Sequence, residues 1–203
     1  MLTLFHAPWS RSSRLVWLLE EIGTAYDIVY CDIARMDGSG ARDPRNPHPD
    51  GKVPALLHDD ALITESAAVA LYVTDLFPEA GLGAPVGSPE RGAYLTWLAW
   101  IAGEMEPAFW AKISGATEAD AHAQARYDAV VSRLFGALER GPYLMGQRFT
   151  AVDVMAGSAL AWARDYSPAS PALDAWLERI LDRPANATAT AKDGTPPVLA
   201  QVA

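Results

Sequence analysis

The fold of this chain is decided by the stretch Gly51-Lys52-Val53-Pro54-Ala55-Leu56-Leu57 and, shortly after it, Leu62-Ile63-Thr64-Glu65-Ser66-Ala67-Ala68. The apolar runs in these two stretches flank Asp59-Asp60, and this pattern predicts a β-hairpin. Pro54 opens the first strand, where its missing N–H costs least. If the Val53–Pro54 bond is cis, the N–H and C=O of Val53 face away from the sheet and can pair with an extended peptide ligand.

The predicted hairpin is followed at once by the start of a predicted helix. Glu65 and Ser66 stand at that start, where free backbone N–H groups, a hydroxyl and the positive end of the helix dipole come together. These groups suit a carboxylate. A backbone contact at Val53 and a carboxylate contact at the helix start together predict one site for a small acidic peptide.

Outward from the hairpin, residues 1–78 predict a thioredoxin-like α/β domain. A strand, a helix and a second strand come first, and this order requires a parallel pair of strands joined by a right-handed crossover. The hairpin then adds antiparallel strands, and a helix closes the domain. The expected elements are a strand at 1–5, a helix from Ser10 or Ser12 to Gly23, a strand at 26–33, the hairpin and a helix at 65–77.

The rest of the chain predicts an all-α domain at 89–203, reached through a Gly- and Pro-rich linker at 79–88. Helical spacing covers 89–113 with a bend at Pro107, then 118–138, 151–165 and 172–181. The third of these helices is apolar nearly all round and is expected to be the buried central helix. Thr150 and Asp153 form a capping box at its start, which we interpret as structural. The tail 184–203 has no periodicity and is expected to be partly disordered.

Composition argues against several classes of function. The net charge of −9 argues against nucleic acid as a partner, and no apolar run reaches the length of a membrane span. The N-terminus has no secretory leader, which predicts a cytoplasmic protein. The four histidines lack ligand spacing, so no metal site is expected. The single cysteine, Cys31, cannot form an internal disulfide and is expected to be a buried thiol.

The ordered motifs resemble those of a known family. Lys-Val-Pro at 52–54 followed by Glu-Ser-Ala-Ala at 65–68 is similar to the glutathione-binding half of cytosolic glutathione transferases of bacterial type, and the resemblance runs from Leu2 to about Pro184. It implies a thioredoxin-like domain followed by an all-helical one, glutathione as co-substrate, a hydrophobic electrophile as second substrate, a homodimer and a function in detoxification.

The reactive position of a thioredoxin-like fold follows its first strand, where this chain has Trp9-Ser10-Arg11-Ser12-Ser13. Ser10 and Ser13 have the spacing of a Cys-x-x-Cys pair but carry no sulfur, which excludes disulfide exchange by the protein itself. The resemblance therefore implies a serine-type site that activates the thiol of the ligand. We assign Ser10 as the hydroxyl donor to sulfur with Arg11 assisting, Ser12 as the second candidate and Ser13 as the third. The family's serine aligns with Trp9, and the simpler alternative is that Ser10 and Ser12 only cap the first helix.

The resemblance also assigns the glutathione-binding residues. Val53 and Pro54 present the backbone that pairs with the ligand peptide. Lys52 meets the glycine carboxylate, Glu65 the α-amino group and Ser66 the γ-glutamyl carboxylate. The alternatives are a plain surface lysine and an ordinary helix start.

The second substrate is expected to lie against apolar side chains, for which the candidates are Trp9, Trp110, Trp162 and Tyr166. Aromatic residues at helical spacing are more often core, so packing is the alternative for each. The predicted activity is glutathione conjugation to apolar electrophiles. A glutathione-dependent isomerase, dehalogenase or peroxidase on the same scaffold is one alternative, and a binding or partner module without turnover is another. Trp9 favours the module, and the intact binding residues argue against it.

Overall fold

The computed structural model describes residues 1–193, which form two compact units. The first unit comprises residues 1–73 together with residues 184–193, and the second comprises Thr74–Arg183. None of the helices in this described part of the chain is long and apolar enough to span a membrane.

The first unit is built on a four-stranded sheet with the order β2-β1-β3-β4. Strands β1 and β2 are parallel, and the other two pairs are antiparallel. Helix α1 forms the crossover between β1 and β2 and ends at Gly23, whose φ of 74° suits a residue without a side chain. The predicted thioredoxin-like arrangement is confirmed, with β1 at Leu2–His6, α1 at Ser13–Ile22, β2 at Asp27–Tyr30, β3 at Ala55–His58, β4 at Ala61–Thr64 and α2 at Ser66–Leu76.

The register of the sheet brings three connections to one end of its strands. Phe5 of β1 pairs with Ala55 of β3, and Ala55 pairs with Thr64 of β4. The loop that follows β1 and the turn from β4 into α2 therefore begin at this end of the sheet, and the approach to β3 finishes there. These are the three segments that carry the predicted site residues of the first unit.

The second unit is helical, as predicted, and two of its helices are interrupted where the sequence analysis expected continuity. A π-helical segment at Ile101–Met105 lies between two helices, so the irregularity precedes the expected bend at Pro107. Asp120 lies outside the helical region and accepts a hydrogen bond from the N–H of His122 at 2.8 Å, which ends one helix and caps the next. The helices are α3 at Arg91–Trp100, α4 at Glu106–Ile113, α5 at Ala116–Ala119, α6 at Ala121–Leu138, α7 at Ala151–Trp162 and α8 at Pro171–Leu181.

The buried helix of this unit is α7, and the predicted capping box is present at its start. Asp153 is fully buried and accepts hydrogen bonds from the N–H of Thr150 at 3.0 Å, the N–H of Leu144 at 2.9 Å and the indole of Trp176 at 3.0 Å. Burial raises the pKa of Asp153, although each of these hydrogen bonds acts to lower it. The carboxylate thus joins the start of α7, the preceding turn and α8.

Residues 184–193 of the tail, which was expected to be partly disordered, form a helix that the sequence analysis did not predict, α9 (Pro184–Asp193); residues 194–203 of that tail lie outside the described residues. Helix α9 packs on α1 of the first unit. Lys192 forms an ion pair with Glu20 of α1, and the hydroxyl of Tyr30 donates to the C=O of Lys192 at 2.9 Å. The helix is rich in Ala and Thr and buries Ala189 and Asp193. Since polar contacts hold much of it, it has no clear apolar periodicity for a sequence analysis to detect.

Candidate active site

Ser10 lies in the loop between β1 and α1 and is half-buried. Its Oγ lies 2.7 Å from the C=O of Ala7 and 2.8 Å from Oγ of Ser12, and it accepts the N–H of Ser12 at 3.1 Å. The N–H of Ser10 donates to Oγ of Ser13 at 3.3 Å. The oxygen of Ser10 is therefore fixed from the protein side, while its single proton can turn among several acceptors.

Ser12, the second candidate, has no solvent exposure. Its Oγ accepts the N–H of Ala7 at 3.1 Å and lies 2.7 Å from Nδ1 of His6. Although Ser12 is the N-cap residue of α1, its side chain makes no capping hydrogen bond. Burial favours Ser10 over Ser12 as the hydroxyl that contacts a ligand. Ser12 therefore does not fit the alternative in which Ser10 and Ser12 only cap α1.

Two residues near this loop were not assigned from the sequence: His6 and Asp193. His6, at the end of β1, is fully buried, and its Nε2 lies 3.1 Å from Oδ1 of Asp193. The same Oδ1 accepts hydrogen bonds from the hydroxyl of Ser13 at 2.7 Å and the N–H of Trp9 at 3.2 Å. Burial alone would raise the pKa of Asp193, but these contacts outweigh it and hold that pKa below its ordinary value of 3.8. The missed signal lies in the last turn of α9, which the sequence analysis left without structure.

The loop conformation is unusual at Trp9. This residue has a φ of 57°, a left-handed conformation that is costly for a bulky side chain, and its indole is 72% exposed. Its N–H is held by Asp193, which helps to keep the loop in this conformation. The neighbouring Arg11 is exposed. The loop thus displays a tryptophan and a guanidinium on either side of Ser10.

The approach to β3 carries Lys52, Val53 and Pro54. The Val53–Pro54 peptide bond is cis. Val53 lies outside the ladder that begins at Ala55, and among residues 1–193 no hydrogen-bond partner is present for its N–H or C=O. Lys52 is exposed, its ammonium lies 3.6 Å from a carboxylate oxygen of Asp50, and its C=O accepts the side-chain amide of Asn46 at 2.8 Å.

The turn from β4 into α2 carries Glu65 and Ser66. Glu65 has a φ of 67°, and its C=O accepts the N–H of Val69 at 2.9 Å, so it directly precedes the first helical residue, Ser66. A left-handed glutamate is strained, and strain of this kind concentrates at functional sites. Glu65 is exposed and Ser66 half-buried, so both are accessible at the positive end of the α2 dipole.

The protein's own thiol is not part of this chemistry. Cys31 is buried, and this burial, with a contribution from the Asp43 carboxylate, raises the pKa of the thiol to about 11. Asp43 is itself ionised, because a hydrogen bond from Arg45 lowers its pKa to about 2. A thiol in this environment is inert as a nucleophile. Within residues 1–193, no group of three or more His, Cys, Asp or Glu side chains is arranged to hold a metal ion.

The remaining candidates, Trp110, Trp162 and Tyr166, lie in the second unit. Trp110 is on α4, Trp162 ends α7, and Tyr166 lies in the short 3₁₀ helix at Arg164–Tyr166. All three side chains are exposed, so they are not core residues of this unit. The hydroxyl of Tyr127 on α6 donates to the C=O of Tyr166, which fixes the 3₁₀ helix against α6. Trp9, the fourth candidate, belongs to the first unit.

Comparison with known proteins gives the family to which a chain with this fold belongs. The N-terminal domain of glutathione S-transferase matches residues 1–75, and its C-terminal domain matches residues 95–184. Glutathione S-transferase GstA of Escherichia coli O157:H7 is 30% identical, over 94% of this chain and 98% of GstA. The chain belongs to the glutathione S-transferase family.

Solved structures agree with this assignment. A glutathione transferase from Methylococcus capsulatus superposes with a TM-score of 0.81 at 31% identity, over 96% of this chain and 99% of that protein. A sphingomonad glutathione S-transferase complexed with glutathione superposes with a TM-score of 0.79 at 29% identity, over 96% of this chain and 100% of that protein.

Proposed function

We propose that this glutathione transferase forms the thiolate of glutathione at Ser10 and adds it to an apolar electrophile. The observation that carries the proposal is the position of the Ser10 hydroxyl. It lies half-buried in the loop before α1, with its oxygen held by the N–H of Ser12 and its proton able to turn. The complex of a sphingomonad relative with glutathione supports the choice of ligand.

Glutathione would lie at the end of the sheet where β3 begins and β4 ends. Val53 offers an N–H and a C=O to the ligand peptide, in the manner of an added strand. Lys52 would meet the glycine carboxylate, Glu65 the α-amino group, and Ser66 with the N-terminus of α2 the γ-glutamyl carboxylate. The pairing of Ala55 with Thr64 supports this assignment of binding residues. It brings the segment before β3 and the segment after β4 to the same end of the hairpin.

The thiol of the ligand must be made a thiolate near neutral pH. A free thiol has a pKa of about 8.5, and lowering it by about two units takes roughly 2.7 kcal/mol of stabilisation of the anion. A hydrogen bond from Ser10, the N-terminus of the ten-residue helix α1 and the exposed guanidinium of Arg11 act in the same direction. The Ser10 hydroxyl acts here as a hydrogen-bond donor to the sulfur of glutathione. The sulfur then accepts the transferred group from the electrophile.

The electrophile would lie against exposed aromatic side chains, for which Trp9, Trp110, Trp162 and Tyr166 are the candidates. Their exposure supports a surface function over a packing function. We further expect a cytoplasmic homodimer that acts in detoxification. Isomerase, dehalogenase and peroxidase activities use the same thiolate, so a panel of electrophiles, haloalkanes and peroxides separates them from conjugation.

The test is a pH titration of the ultraviolet absorbance of bound glutathione thiolate in the parent protein and in Ser10→Ala. Ser114→Ala, which removes an exposed hydroxyl in the second unit, is the matched control. We expect a thiolate pKa well below that of free glutathione in the parent and the control, and a rise in Ser10→Ala. Bound glutathione with an unshifted thiol in the parent would instead indicate a module without turnover. An unchanged pKa in Ser10→Ala would refute the assignment of Ser10.

A further inference from the structure

A continuous line of polar atoms leads from Ser10 into the interior of the first unit. Oγ of Ser10 lies 2.8 Å from Oγ of Ser12, which lies 2.7 Å from Nδ1 of His6. Nε2 of the same imidazole lies 3.1 Å from Oδ1 of Asp193. Ser12 and His6 are fully buried, while Ser10 is partly exposed. The line therefore has one end at the site and the other in the protein interior.

The charge of Asp193 fixes the direction of these hydrogen bonds when no ligand is present. Nε2 of His6 lies 3.1 Å from the ionised carboxylate oxygen, and this negative charge favours the tautomer that carries its proton on Nε2, although the two atoms are not aligned as a hydrogen bond. In the neutral ring Nδ1 is then an acceptor, and Ser12 must donate to it. Oγ of Ser12, with its own proton engaged, accepts the N–H of Ala7 and can accept the proton of Ser10.

We propose that Ser10, Ser12 and His6 form a proton relay that takes the thiol proton of glutathione and stores it on His6 beside Asp193. This inference rests on the proposed function, and it answers a question that a hydroxyl donor alone leaves open. A serine that donates to a thiolate does not explain where the proton of the thiol went. The relay supplies an acceptor inside the protein.

The transfer balances in protons and charge. The S–H bond of glutathione breaks, its electron pair stays on sulfur, and its proton forms a new O–H bond at Ser10. The former proton of Ser10 moves to Oγ of Ser12, and the former proton of Ser12 moves to Nδ1 of His6. The products are a thiolate and an imidazolium. The hydrogen bonds between Ser10 and Ser12 and between Ser12 and Nδ1 of His6 are now reversed, while Nε2 keeps its proton beside Asp193. Ser10 therefore donates to the thiolate that it helped to form.

Asp193 makes the imidazolium acceptable in a buried place. The carboxylate pairs with the positive ring, as a buried aspartate supports the imidazolium in other relays that end at a serine. The other side chain in ring contact with His6 is Tyr30 of β2, at 5.6 Å between centroids and nearly edge-on. His6 acts through Ser12 and Ser10 and touches no ligand, so it is a positioning residue. The stored proton returns along the same line to the product or to water.

Proton release on binding tests the relay. Calorimetry of glutathione binding near neutral pH, in buffers with different ionisation enthalpies, counts the protons released, and ultraviolet absorbance counts the thiolates formed. We expect the parent to release far less than one proton for each thiolate. His6→Asn removes the ring that accepts the proton. Each thiolate formed in this variant should therefore release one proton to the buffer. His58→Asn, which alters a histidine hydrogen-bonded to Tyr72 outside the line, should behave like the parent.

The protonation state of His6 in the parent gives a second readout, which does not depend on whether a variant folds. Nitrogen NMR of the imidazole should show a neutral ring with its proton on Nε2 in the ligand-free protein. Glutathione should convert it to imidazolium, whereas S-methylglutathione, which has no thiol proton, should leave it neutral. A thiolate accompanied by a neutral His6 and one released proton would overturn the relay alone. If glutathione binds without forming a thiolate, the proposed function falls and the relay falls with it.

Discussion

At the scale of single residues, one oxygen atom organises the loop that carries Ser10. Oδ1 of Asp193 lies within hydrogen-bond distance of Nε2 of His6, Oγ of Ser13 and the N–H of Trp9. The three contacts join the end of β1, the strained residue of the loop and the first turn of α1. Because one carboxylate oxygen contacts all three groups, the position of the loop depends on the charge of Asp193 as well as on its shape.

This arrangement predicts a pH dependence of stability. The pKa of Asp193 is lower in the folded state than its ordinary value of 3.8. Between these two pKa values the unfolded chain therefore binds more protons than the folded protein. The contribution of Asp193 is therefore fully present above about pH 3.8 and is lost as the pH falls through the folded-state pKa. Asn at this position keeps an acceptor oxygen but has no charge. We expect the difference in free energy of unfolding between the parent and Asp193→Asn to shrink as the pH falls below this range.

Urea denaturation at a series of pH values measures this difference. Taking the difference between two variants cancels the other carboxylates, such as Asp43, whose pKa is also lowered. A difference that stays constant through the acid range would show that the charge of Asp193 adds nothing to folding.

A second prediction concerns Asp153, the buried carboxylate at the start of α7. Asp153→Ala should lower the free energy of unfolding by roughly 2–4 kcal/mol, since it leaves buried donors on Thr150, Leu144 and Trp176 unpaired. Asp174→Ala, which removes an exposed ion pair with Arg164, should cost less than about 1 kcal/mol. Chemical denaturation gives both values. Glutathione affinity at temperatures where Asp153→Ala is folded should be unchanged, and a large loss of affinity would contradict a purely structural function.

At the scale of elements, helix α9 belongs to the sheet domain although the whole helical unit separates it from that domain in sequence. It packs on α1, buries Ala189 and contacts α1 through Lys192 and Asp193, which are adjacent in sequence and bind different partners. Lys192 pairs with Glu20, and its ammonium also lies over the ring of Tyr26. The helix is thus fastened near its C-terminal end, close to the loop of Ser10.

This packing predicts an asymmetry between two neighbouring alanines of α9. Ala189 is buried, whereas Ala187 is exposed on the same helix. Ala189→Glu should lower the free energy of unfolding by about 1–3 kcal/mol, because a long charged side chain has no room at this buried position of a helix that packs on α1. Ala187→Glu should change it by less than about 0.5 kcal/mol. Thermal denaturation of the two variants is the measurement, and equal effects would mean that α9 is not docked on α1 in solution.

The sequence predicted those features of the fold and site that have local causes. The Asp59-Asp60 hairpin, the stop of α1 at Gly23 and the Thr150–Asp153 capping box each depend on a few neighbouring residues, and each is present. The relay from Ser10 to Asp193 could not be predicted in this way. His6 and Asp193 lie at opposite ends of the chain, and neither has a spacing that identifies its partner. Long-range polar contacts of this kind appear only when the tertiary structure is known.

At the scale of the whole molecule, the chain leaves the first unit at α2 and returns to it with α9. The sheet domain is therefore completed by the last helix of the described chain, and its stability depends on a segment far away in sequence. The helical unit, Thr74–Arg183, is continuous and has its own buried helix, α7. The two units should respond differently to the loss of α9.

A chain that ends at Arg183 tests this dependence. Without α9, the contacts of Asp193 and Lys192 with the β1–α1 loop, α1 and β2 are absent, so the first unit should open more readily. Amide hydrogen exchange should show a clear loss of protection in β1 and α1, while α7 keeps the protection that it has in the full chain. Glutathione binding should weaken together with this protection. Addition of a peptide of residues 184–203 should restore part of the protection and part of the binding. A uniform loss of protection would instead mean that the units unfold as one, and no loss would mean that α9 contributes nothing to the sheet domain.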